Sequence, residues 1–341
     1  MGSDVAAQCE PPISGGIRCR SVRACYLCGT EGAPLHNGLE DKLFGVSGTW
    51  NSKRCPNPAC GLVWLDPMPR EEDIGKAYAE YYTHQEQQPR TWARTEGSRL
   101  LKRGVAALHH WLFRLTPVHP EQERRESMYL EKIAPGKLLD VGCGDGTRLA
   151  RFRALGWEVQ GQEVDARAAI RARSVAGVPV YLGSLEDGAF ADATFDAVVM
   201  NHVLEHVHDP VRLLAECHRV LKRSGILVSV TPNIESYGHR RFGSYWRGLE
   251  PPRHLFLFSR RTLREAARRA GFGESHVWTT AVNALRLVYD SLYILELHGK
   301  RRDSPKTFRR GLLLLAYQVW MTLLCIWDRN SGEECVLRAV K

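Results

Sequence analysis

The chain has 341 residues, of which 44% are apolar and 25% are charged, and it carries a net charge of +9. This composition is ordinary for a soluble globular protein of about two domains. The first sixteen residues contain neither the basic stretch nor the apolar stretch of a secretion signal, so we expect a cytoplasmic protein. In that compartment the ten cysteines are expected to bind metal or to pack in the core, and not to form disulfides.

Residues 1–20 are expected to form a disordered tail, and residues 21–70 a small zinc ribbon. Four cysteines of this segment stand in two pairs, each followed by a glycine: Cys25, Cys28, Cys55 and Cys60. Two thiolates on one tight turn can share a zinc ion, and two such turns complete a closed site of structural type. Cys19 or His36 would be substitute ligands, and four unligated thiols are the other interpretation.

Residues 71–130 have a helical composition and are interpreted as a lid or linker. Their tyrosines and tryptophans are expected to pack in a core. They do not alternate with basic residues, as they would on a surface that stacks nucleic-acid bases.

A glycine-rich motif lies near the start of the last predicted domain, residues 131–341. Lys137–Thr147 reads KLLDVGCGDGT, which is an apolar strand, three glycines at alternate positions and a helix start. Glycines let the backbone turn tightly and approach a ligand that a Cβ would exclude. The third glycine comes one position too early for a dinucleotide-binding fingerprint. The next predicted strand ends at Glu163, followed by Asp165, where an acidic side chain can accept hydrogen bonds from ribose hydroxyls.

The rest of this domain alternates strands with helices. Apolar, β-branched runs of strand length occur at residues 178–184, 195–200 and 225–233. A helix is predicted over 209–223, with Asp209 as its N-cap and Gly225 just past its end. The alternation predicts an α/β fold with a doubly wound, seven-stranded, Rossmann-like sheet.

From Leu138 to Phe272 the chain resembles the class I small-molecule methyltransferases that use S-adenosylmethionine (SAM), of the type 11 and type 23 kind. Six motifs occur in order: LLDVGCGDG, VQGQEVD, GSLED, FDAVVMNHVLEHVHDP, RVLKRSGILVSVTPN and SRRTLREAARRAGF. The resemblance implies that the glycine loop wraps the methionine part of SAM and that the next acidic residue holds the ribose. The cofactor-binding residues that it implies are Asp140, Gly142, Gly144, Gly146, Glu163, Ser184, Leu185, Asn201 and His202. Leu185 as a core residue and Asn201 as a strand-end cap are the alternatives.

Two further stretches are interpreted in the light of this resemblance. CGLVWLDPMP, residues 60–69, resembles the end of the zinc ribbon that precedes some bacterial methyltransferases. His202, Glu205 and His206 spell H-x-x-E-H, the order of an inverted zinc-protease signature. Because LEHVHDP resembles the family's usual start of the next helix, hydrogen bonding at a helix start is favoured over a bound divalent ion.

Residues 236–258 are expected to form the acceptor wall, because they follow the fifth strand at the sheet edge where such folds bind ligands. In-line methyl transfer places the nucleophile about 3 to 3.5 Å from the methyl carbon, and a base can be needed. His254 is the first candidate for the catalytic residue, and His202, Tyr245 and His239 are weaker ones. A purely loop-ordering role for His254 is the alternative. The expected acceptor is a small molecule or a glycan.

A helical insertion, residues 282–330, interrupts the two last predicted strands, 275–281 and 333–341. Its apolar stretch, 311–327, is at the lower limit for crossing a bilayer, and the last strand must return to the same sheet, so a single span is excluded. A basic run precedes this stretch: Arg301, Arg302, Lys306, Arg309 and Arg310. The stretch is expected either to pack on the domain or in a homodimer, or to lie on an anionic membrane surface. The membrane reading would place the protein at the inner face and suit a lipid-linked acceptor.

The net positive charge is also compatible with a second class of function. A basic protein with a zinc ribbon would also suit an RNA methyltransferase or a nucleic-acid-binding module. The arginines are spread over predicted helical faces, and the sequence contains no recognisable base-reading module. A nucleic-acid partner is therefore not favoured, and the sequence predicts a SAM-dependent methyltransferase with a structural zinc.

Overall fold

The computed structural model of the chain describes residues 13–14, 16–78, 118–187, 190–299 and 307–341. Most of the predicted tail and the larger part of the predicted lid, residues 79–117, lie outside these ranges. Three sheets occur in the described part of the chain: two small ones near the N-terminus and one central sheet of seven strands.

The first small sheet corrects the prediction of a disordered tail up to residue 20. Its order is β1 (Ile13–Ser14), β2 (Ile17–Arg20) and β6 (Met68–Pro69). Ile17 and Cys19 are buried in a cluster with Trp50 of the ribbon. An ordered strand therefore precedes the ribbon cysteines, because the alternate apolar side chains of β2 pack in a core there.

The second small sheet belongs to the ribbon and contains one strand from a distant part of the chain. β3 (Ala33–Leu39), β4 (Trp50–Arg54) and β5 (Val63–Leu65) are antiparallel neighbours. β12 (Phe256–Leu257), from the predicted acceptor wall, completes this sheet by pairing with β5. The ribbon and the end of the acceptor wall are thus parts of one structural unit.

The central sheet confirms the predicted α/β fold. Its strands are β7 (Lys137–Val141), β8 (Glu158–Glu163), β9 (Val180–Leu182), β10 (Phe195–Asn201), β11 (Leu221–Pro232), β13 (Glu274–Thr280) and β14 (Glu334–Val340). Their order is β13-β14-β11-β10-β7-β8-β9, and β14 alone among these strands is antiparallel to the others. The strands β8 and β9 lie on one side of β7, whereas the next strand in the chain, β10, lies on its other side. Folds of this type bind ligands in the crevice at such a switch point.

Helices cover both faces of this sheet. They are α1 (Val118–Glu126), α2 (Thr147–Ala154), α3 (Ala166–Ala176), α4 (Pro210–Val220), α5 (Tyr237–Phe242), α6 (Arg260–Arg269), α7 (Ala284–Gly299) and α8 (Thr307–Trp327). Successive residues of β7 point to opposite faces: Leu138 packs with α2 and α3, whereas Leu139 packs in the cluster that contains α4, α6 and the ribbon. One core therefore joins the sheet to the ribbon.

Helix α4 begins as predicted but ends earlier. The Asp209 carboxylate accepts a hydrogen bond from the amide of Arg212 at 2.9 Å, as an N-cap should. The helix stops at Val220, and Leu221 already pairs with Phe195 in the sheet. Gly225 therefore lies inside β11 and not in a helix cap. The buried Leu221 side chain belongs to the sheet core, and this tertiary contact overrides the local helical pattern.

Helices α7 and α8 form the predicted insertion and pack against the domain. Met321 of α8 is buried against Ala281 and Ala284. Gln318 donates a hydrogen bond from Nε2 to the carbonyl of Ala281 at 2.5 Å and accepts one from the amide of Leu285 at 3.2 Å. None of the helices in the described ranges is long and apolar enough to span a membrane.

Candidate active site

A cavity of about 1010 Å³ opens where β7 and β10 end side by side. Most of the cofactor-binding residues predicted from the sequence border it: Gly142, Gly144, Glu163, Ser184, Leu185, Asn201 and His202. The turn Ile74–Tyr78, which follows the ribbon, and the end of α1 complete the wall. The size is that of a small-molecule site.

The glycines of the motif serve different purposes. Gly142, Gly144 and Gly146 all have positive φ, between +58° and +81°, a region that favours glycine. The Gly144 amide donates a hydrogen bond to Oε2 of Glu163 at 2.8 Å, so the loop is held against the end of β8. A Cβ at Gly146 would lie 2.6 Å from the Cα of Ala172. Gly146 therefore serves the close approach of α2 and α3.

Glu163 is buried, and backbone amides hold its carboxylate in place. Its Oε1 atom accepts hydrogen bonds from the amides of Val164 and Asp165, at 2.9 and 3.0 Å. The Asp165 side chain is itself the N-cap of α3, accepting from Ala168 at 2.7 Å. Both acidic residues border the cavity. Because a carboxylate can accept about four hydrogen bonds, Glu163 keeps capacity for a ligand's hydroxyl groups.

Asp140 is fully buried, and the wall formed by the described residues does not include it. Its carboxylate accepts hydrogen bonds from Nε and Nη2 of Arg148, each at 2.8 Å. This differs from the predicted direct role in cofactor binding. The buried side chain positions a neighbour that does border the cavity.

His202 is held between two buried carboxylates. Its Nδ1 atom lies 3.1 Å from Oε1 of Glu205, and its Nε2 atom lies 2.7 Å from Oε1 of Glu334. Burial lowers the imidazole pKa, but the hydrogen bonds and charges of Glu205 and Glu334 outweigh it and raise the pKa to about 9. Burial would likewise raise the pKa of Glu205, but His202 lowers it to about 2. At neutral pH His202 is therefore an imidazolium that donates from both nitrogens, and it cannot accept a proton.

The ionic network extends to α1 and accounts for the H-x-x-E-H motif. Arg125 donates to both oxygens of Glu334, at 3.3 and 3.4 Å, and to the side chain of Asn201. Thr231 donates to Oε2 of Glu205 at 2.9 Å. The first His and the Glu of the motif thus bind each other, with both nitrogens of His202 occupied, so the zinc-protease reading does not fit.

The predicted acceptor wall, residues 236–258, does not lie where the sequence predicts it, beside the ligand cavity. Of the residues that the structure describes, the cavity wall includes neither His254 nor Tyr245. His254 is buried, its Nδ1 atom is 2.7 Å from the carbonyl of Gly248, and burial lowers its pKa to about 4. His239 contacts His36 of the ribbon at 2.9 Å. The predicted acceptor wall does not border the cavity because β12 pairs with the ribbon. This pairing places residues 236–258 behind the cavity.

Tyr78 and His206 border the cavity, although the sequence patterns point to a core aromatic and a helix-start residue. The Tyr78 hydroxyl oxygen lies 2.9 Å from Nδ1 of His206, and the same nitrogen lies 3.0 Å from the carbonyl oxygen of Arg253. A carbonyl only accepts hydrogen bonds, so Nδ1 carries the hydrogen. No local signal predicts this pair, since its members are 128 residues apart.

The four ribbon cysteines converge as predicted. Their sulfur atoms all lie within 4.8 Å of one another. The Cys25 and Cys60 sulfurs are 3.6 Å apart, and the Cys28 and Cys55 sulfurs are 3.3 Å apart. A tetrahedral zinc site with bonds of about 2.3 Å has sulfur atoms about 3.8 Å apart, so the arrangement suits such an ion. The predicted substitutes are engaged elsewhere: Cys19 packs in the first small sheet and His36 contacts His239.

Comparisons with known proteins agree with this geometry. Residues 111–274 match the family model described as Methyltransferase domain. The chain is 33% identical over 115 residues to a "Probable S-adenosylmethionine-dependent methyltransferase" of Mycobacterium tuberculosis, covering 32% of this chain and 42% of that protein. It is 31% identical over 169 residues to the Ubiquinone biosynthesis O-methyltransferase of Thiobacillus denitrificans, covering 46% of this chain and 73% of that protein.

A crystal structure of a SAM-dependent methyltransferase from Archaeoglobus fulgidus aligns with a TM-score of 0.45 at 19% identity, covering 69% of this chain and 99% of that one. The chain spans less than half the length of the first curated relatives that it matches, 42% and 32%. The Thiobacillus relative, in contrast, is matched over most of its length. With the strand order, the glycine loop and the acidic end of β8, this match shows that the chain belongs to the class I SAM-dependent methyltransferases.

Proposed function

We propose that this protein transfers the methyl group of SAM to a polar small-molecule or glycan acceptor. The observation that carries the proposal is the convergence of the glycine loop, Glu163 and the Ser184–Leu185 turn on one cavity. The backbone near Gly144 leaves open space where a Cβ would project, and the acidic end of β8 suits ribose hydroxyls. These residues fit SAM by the chemistry of their donors and acceptors.

Bound SAM would supply an activated methyl group on a sulfonium. The protein's own part is to orient both reactants and to exclude water, because in-line transfer depends on placing the nucleophile about 3 to 3.5 Å from the methyl carbon. His202 and Asn201 border the cavity, and the buried carboxylates of Glu205 and Glu334 fix the orientation of His202. As an imidazolium, His202 would act as a hydrogen-bonded support and not as a base.

The acceptor side is proposed to be the wall that contains Tyr78 and His206. Nδ1 of His206 donates toward the Tyr78 oxygen and the Arg253 carbonyl, which fixes the orientation of the phenol group at the cavity wall. His254 and Tyr245 remain predictions as catalytic residues; a role for either would require access to the acceptor from behind the described wall.

Two features bear on the class of acceptor. The relative from Thiobacillus denitrificans carries ubiquinone biosynthesis in its name, which agrees with a small-molecule acceptor. Side chains on the outer surface of α8 are apolar and exposed, with Ile326 at 68% and Trp327 at 89%. These exposed side chains on α8 would be explained if the acceptor were linked to a lipid and the protein bound an anionic membrane through this helix.

The ribbon cysteines are proposed to hold one structural zinc. The support is the meeting of four thiols whose sulfur atoms all lie within 4.8 Å of one another, together with a left-handed glycine after each pair, Gly29 and Gly61. The ribbon is a short segment, and a closed metal site supplies folding free energy to such a segment.

Isothermal calorimetry with SAM tests the proposed cofactor site. Glu163→Ala removes the acceptor of ribose hydrogen bonds and a brace of the loop, and Gly144→Val places a side chain in the cavity at positive φ. Glu163→Ala should weaken SAM binding at least about tenfold, since hydrogen bonds to a charged group contribute about 1.5 to 3 kcal/mol. Gly144→Val should also weaken it, because the new side chain would occupy space that the ligand needs.

Gly45→Val is the matched control for the second variant. Gly45 also has positive φ, +75°, and open space around its Cβ position, but it lies in the ribbon. It should keep the wild-type affinity. Unchanged SAM affinity in both cavity variants would remove the assignment.

A further inference from the structure

Arg148 occupies an unusual place for a cation. It lies in the first turn of α2, directly after the glycine loop, where the partial positive charge of a helix N-terminus disfavours a basic side chain. The buried carboxylate of Asp140 compensates for this, with two parallel hydrogen bonds of 2.8 Å to Nε and Nη2. Such a two-point pairing fixes the plane of the guanidinium group.

The pairing leaves the third guanidinium nitrogen, Nη1, on the far side from Asp140. Arg148 borders the cavity, and its side chain is 19% exposed while that of Asp140 is 0% exposed. No hydrogen-bond partner for Nη1 is found among the described residues. The exposed part of the side chain is therefore the end that carries Nη1, and it faces the cavity.

Three other arginines border the cavity. Arg171, on α3, has no side-chain partner among the described residues that would hold it in one orientation, and the two others are neutralised by protein carboxylates. Arg125 pairs with the buried Glu334, and Arg151 pairs with Glu126. Arg148 differs because its carboxylate partner lies entirely behind it. It combines a fixed orientation with donors directed at the ligand space, which suits an anionic oxygen of a ligand.

The remaining wall indicates which end of SAM would meet Arg148. Glu163 and Asp165 at the end of β8 suit the ribose, and the Ser184–Leu185 turn after β9 lies further along the same side of the sheet. The amino-acid end of the cofactor would then lie over β7 and the glycine loop. This end carries the carboxylate of SAM.

We propose that Arg148 binds the carboxylate of SAM through Nη1 and that Asp140 acts as its positioning residue. The inference rests on the proposed function, since it concerns the same cavity. It also explains the buried Asp140 at the end of the motif's strand: the acid acts on the cofactor through the arginine.

The test compares two ligands that differ only in this carboxylate, SAM and decarboxylated SAM, by calorimetry in the absence of acceptor. Wild-type protein should bind SAM at least about tenfold more tightly than decarboxylated SAM. Arg148→Gln should bind the two ligands with nearly equal affinity, because its main loss is in SAM binding. Arg151→Gln, one turn further along α2, is the matched control and should keep the wild-type ratio.

A second variant tests the same role without leaving a buried, unpaired charge. Arg148→Gln leaves Asp140 buried and unpaired, which is strongly destabilising in itself. The double variant Asp140→Asn with Arg148→Gln removes both charges, and it should fold and show the same loss of discrimination.

The outcomes separate the two proposals. If wild-type protein binds neither ligand, the proposed function fails. If it binds SAM but does not discriminate, or if the double variant keeps the wild-type ratio, SAM binding stands and the role of Arg148 is overturned. Loss of the ratio in Arg151→Gln alone would also overturn it, by assigning the carboxylate to the neighbouring arginine.

Discussion

His202 shows how a side chain's chemistry depends on its partners. A histidine after the fourth strand of such a fold is a natural candidate for a base, because its ordinary pKa lies near neutrality. In the structure it has φ of +55° and contacts Glu205 and Glu334 through its two nitrogens. The charge of these acids keeps the imidazole protonated at neutral pH. The residue therefore stabilises the buried end of β14 against the cavity wall.

This environment predicts a pH dependence of stability. The folded-state pKa of His202, about 9, lies above its ordinary value of 6.5. Its contribution is therefore complete below about pH 6.5 and is lost as the pH rises through 9, with a size on the order of 3 kcal/mol. His202→Asn, which tolerates positive φ, should be less stable than wild type at pH 6.5. Urea unfolding should show a smaller loss of free energy between pH 6.5 and 9.5 in the variant.

The exposed His276 supplies a control for general effects of pH. His276→Asn should follow the wild-type profile, since it lies on the outer part of β13. A loss in His202→Asn as large as in wild type would contradict the ion-pair assignment.

At the scale of elements, the ribbon is continuous with the catalytic fold. Besides the pairing of β12 with β5, one arginine joins the two parts: Arg253 is fully buried and donates to Asp41 of the ribbon at 2.9 Å. It also donates to Glu250 at 2.9 Å and to the carbonyl of Ala77 at 3.0 Å. A buried cation needs such compensation. The ribbon therefore braces the segment that leads to Tyr78.

Loss of one ribbon cysteine should therefore also destabilise structure outside the ribbon. Cys55→Ser should lower the zinc content from about one ion per chain to nearly none, because a closed site depends on all four ligands. Hydrogen exchange should accelerate in β4 and β5, and also in β12, which pairs with β5. Metal analysis and exchange mass spectrometry measure both effects.

Cys19→Ser is the matched control. Cys19 is a fully buried thiol next to the ribbon, and its sulfur lies 3.4 Å from the carbonyl of Ile17, within reach of a serine hydroxyl. This variant should keep its zinc. Zinc retained in Cys55→Ser, or a metal-free wild-type protein with a protected ribbon, would contradict the proposed site.

At the scale of the whole molecule, the insertion leaves an apolar surface open. Exposed side chains occur at helical spacing on both helices: Tyr289, Leu292 and Tyr293 on α7, and Trp320, Leu323 and Trp327 on α8. The opposite side of α8 is already buried through Met321 and Gln318. Because exposed apolar patches of this kind often mark interaction sites, we expect this one to contact a membrane or another chain. The basic run before the apolar stretch favours an anionic membrane.

Vesicle binding tests this surface. The wild-type protein should sediment with phosphatidylserine-containing vesicles at low salt, and less at high salt, because salt screens the basic run. Ile326→Ser with Trp327→Ser should bind several-fold more weakly. Leu182→Ser, at an apolar position 45% exposed on β9, is the control and should bind like wild type.

Failure of the wild-type protein to bind these vesicles would remove the main support for a lipid-linked acceptor. A wild-type dimer that the double variant converts to a monomer would assign the same surface to a subunit interface.

Features that depend on local sequence were predictable. The glycine loop, the strands of the sheet and the knuckles of the ribbon each arise from a few neighbouring residues. Glycines permit positive φ, alternate apolar residues select a strand, and closely spaced cysteines meet on one turn. The same locality explains the errors. The pattern over 209–223 cannot reveal that Leu221 belongs to the sheet, and the prolines before His254 cannot reveal that β12 joins the ribbon.

The sequence by itself determined the fold, the family and the residues of the glycine loop. Only the tertiary structure decided which polar groups neutralise one another and which face the ligand space. His202 meets Glu334 across 132 residues, and Tyr78 meets His206 across 128. The physical reason is that protonation and orientation depend on distances of a few ångströms between charges. Those distances are set by how remote segments pack together, which no local pattern of residues encodes.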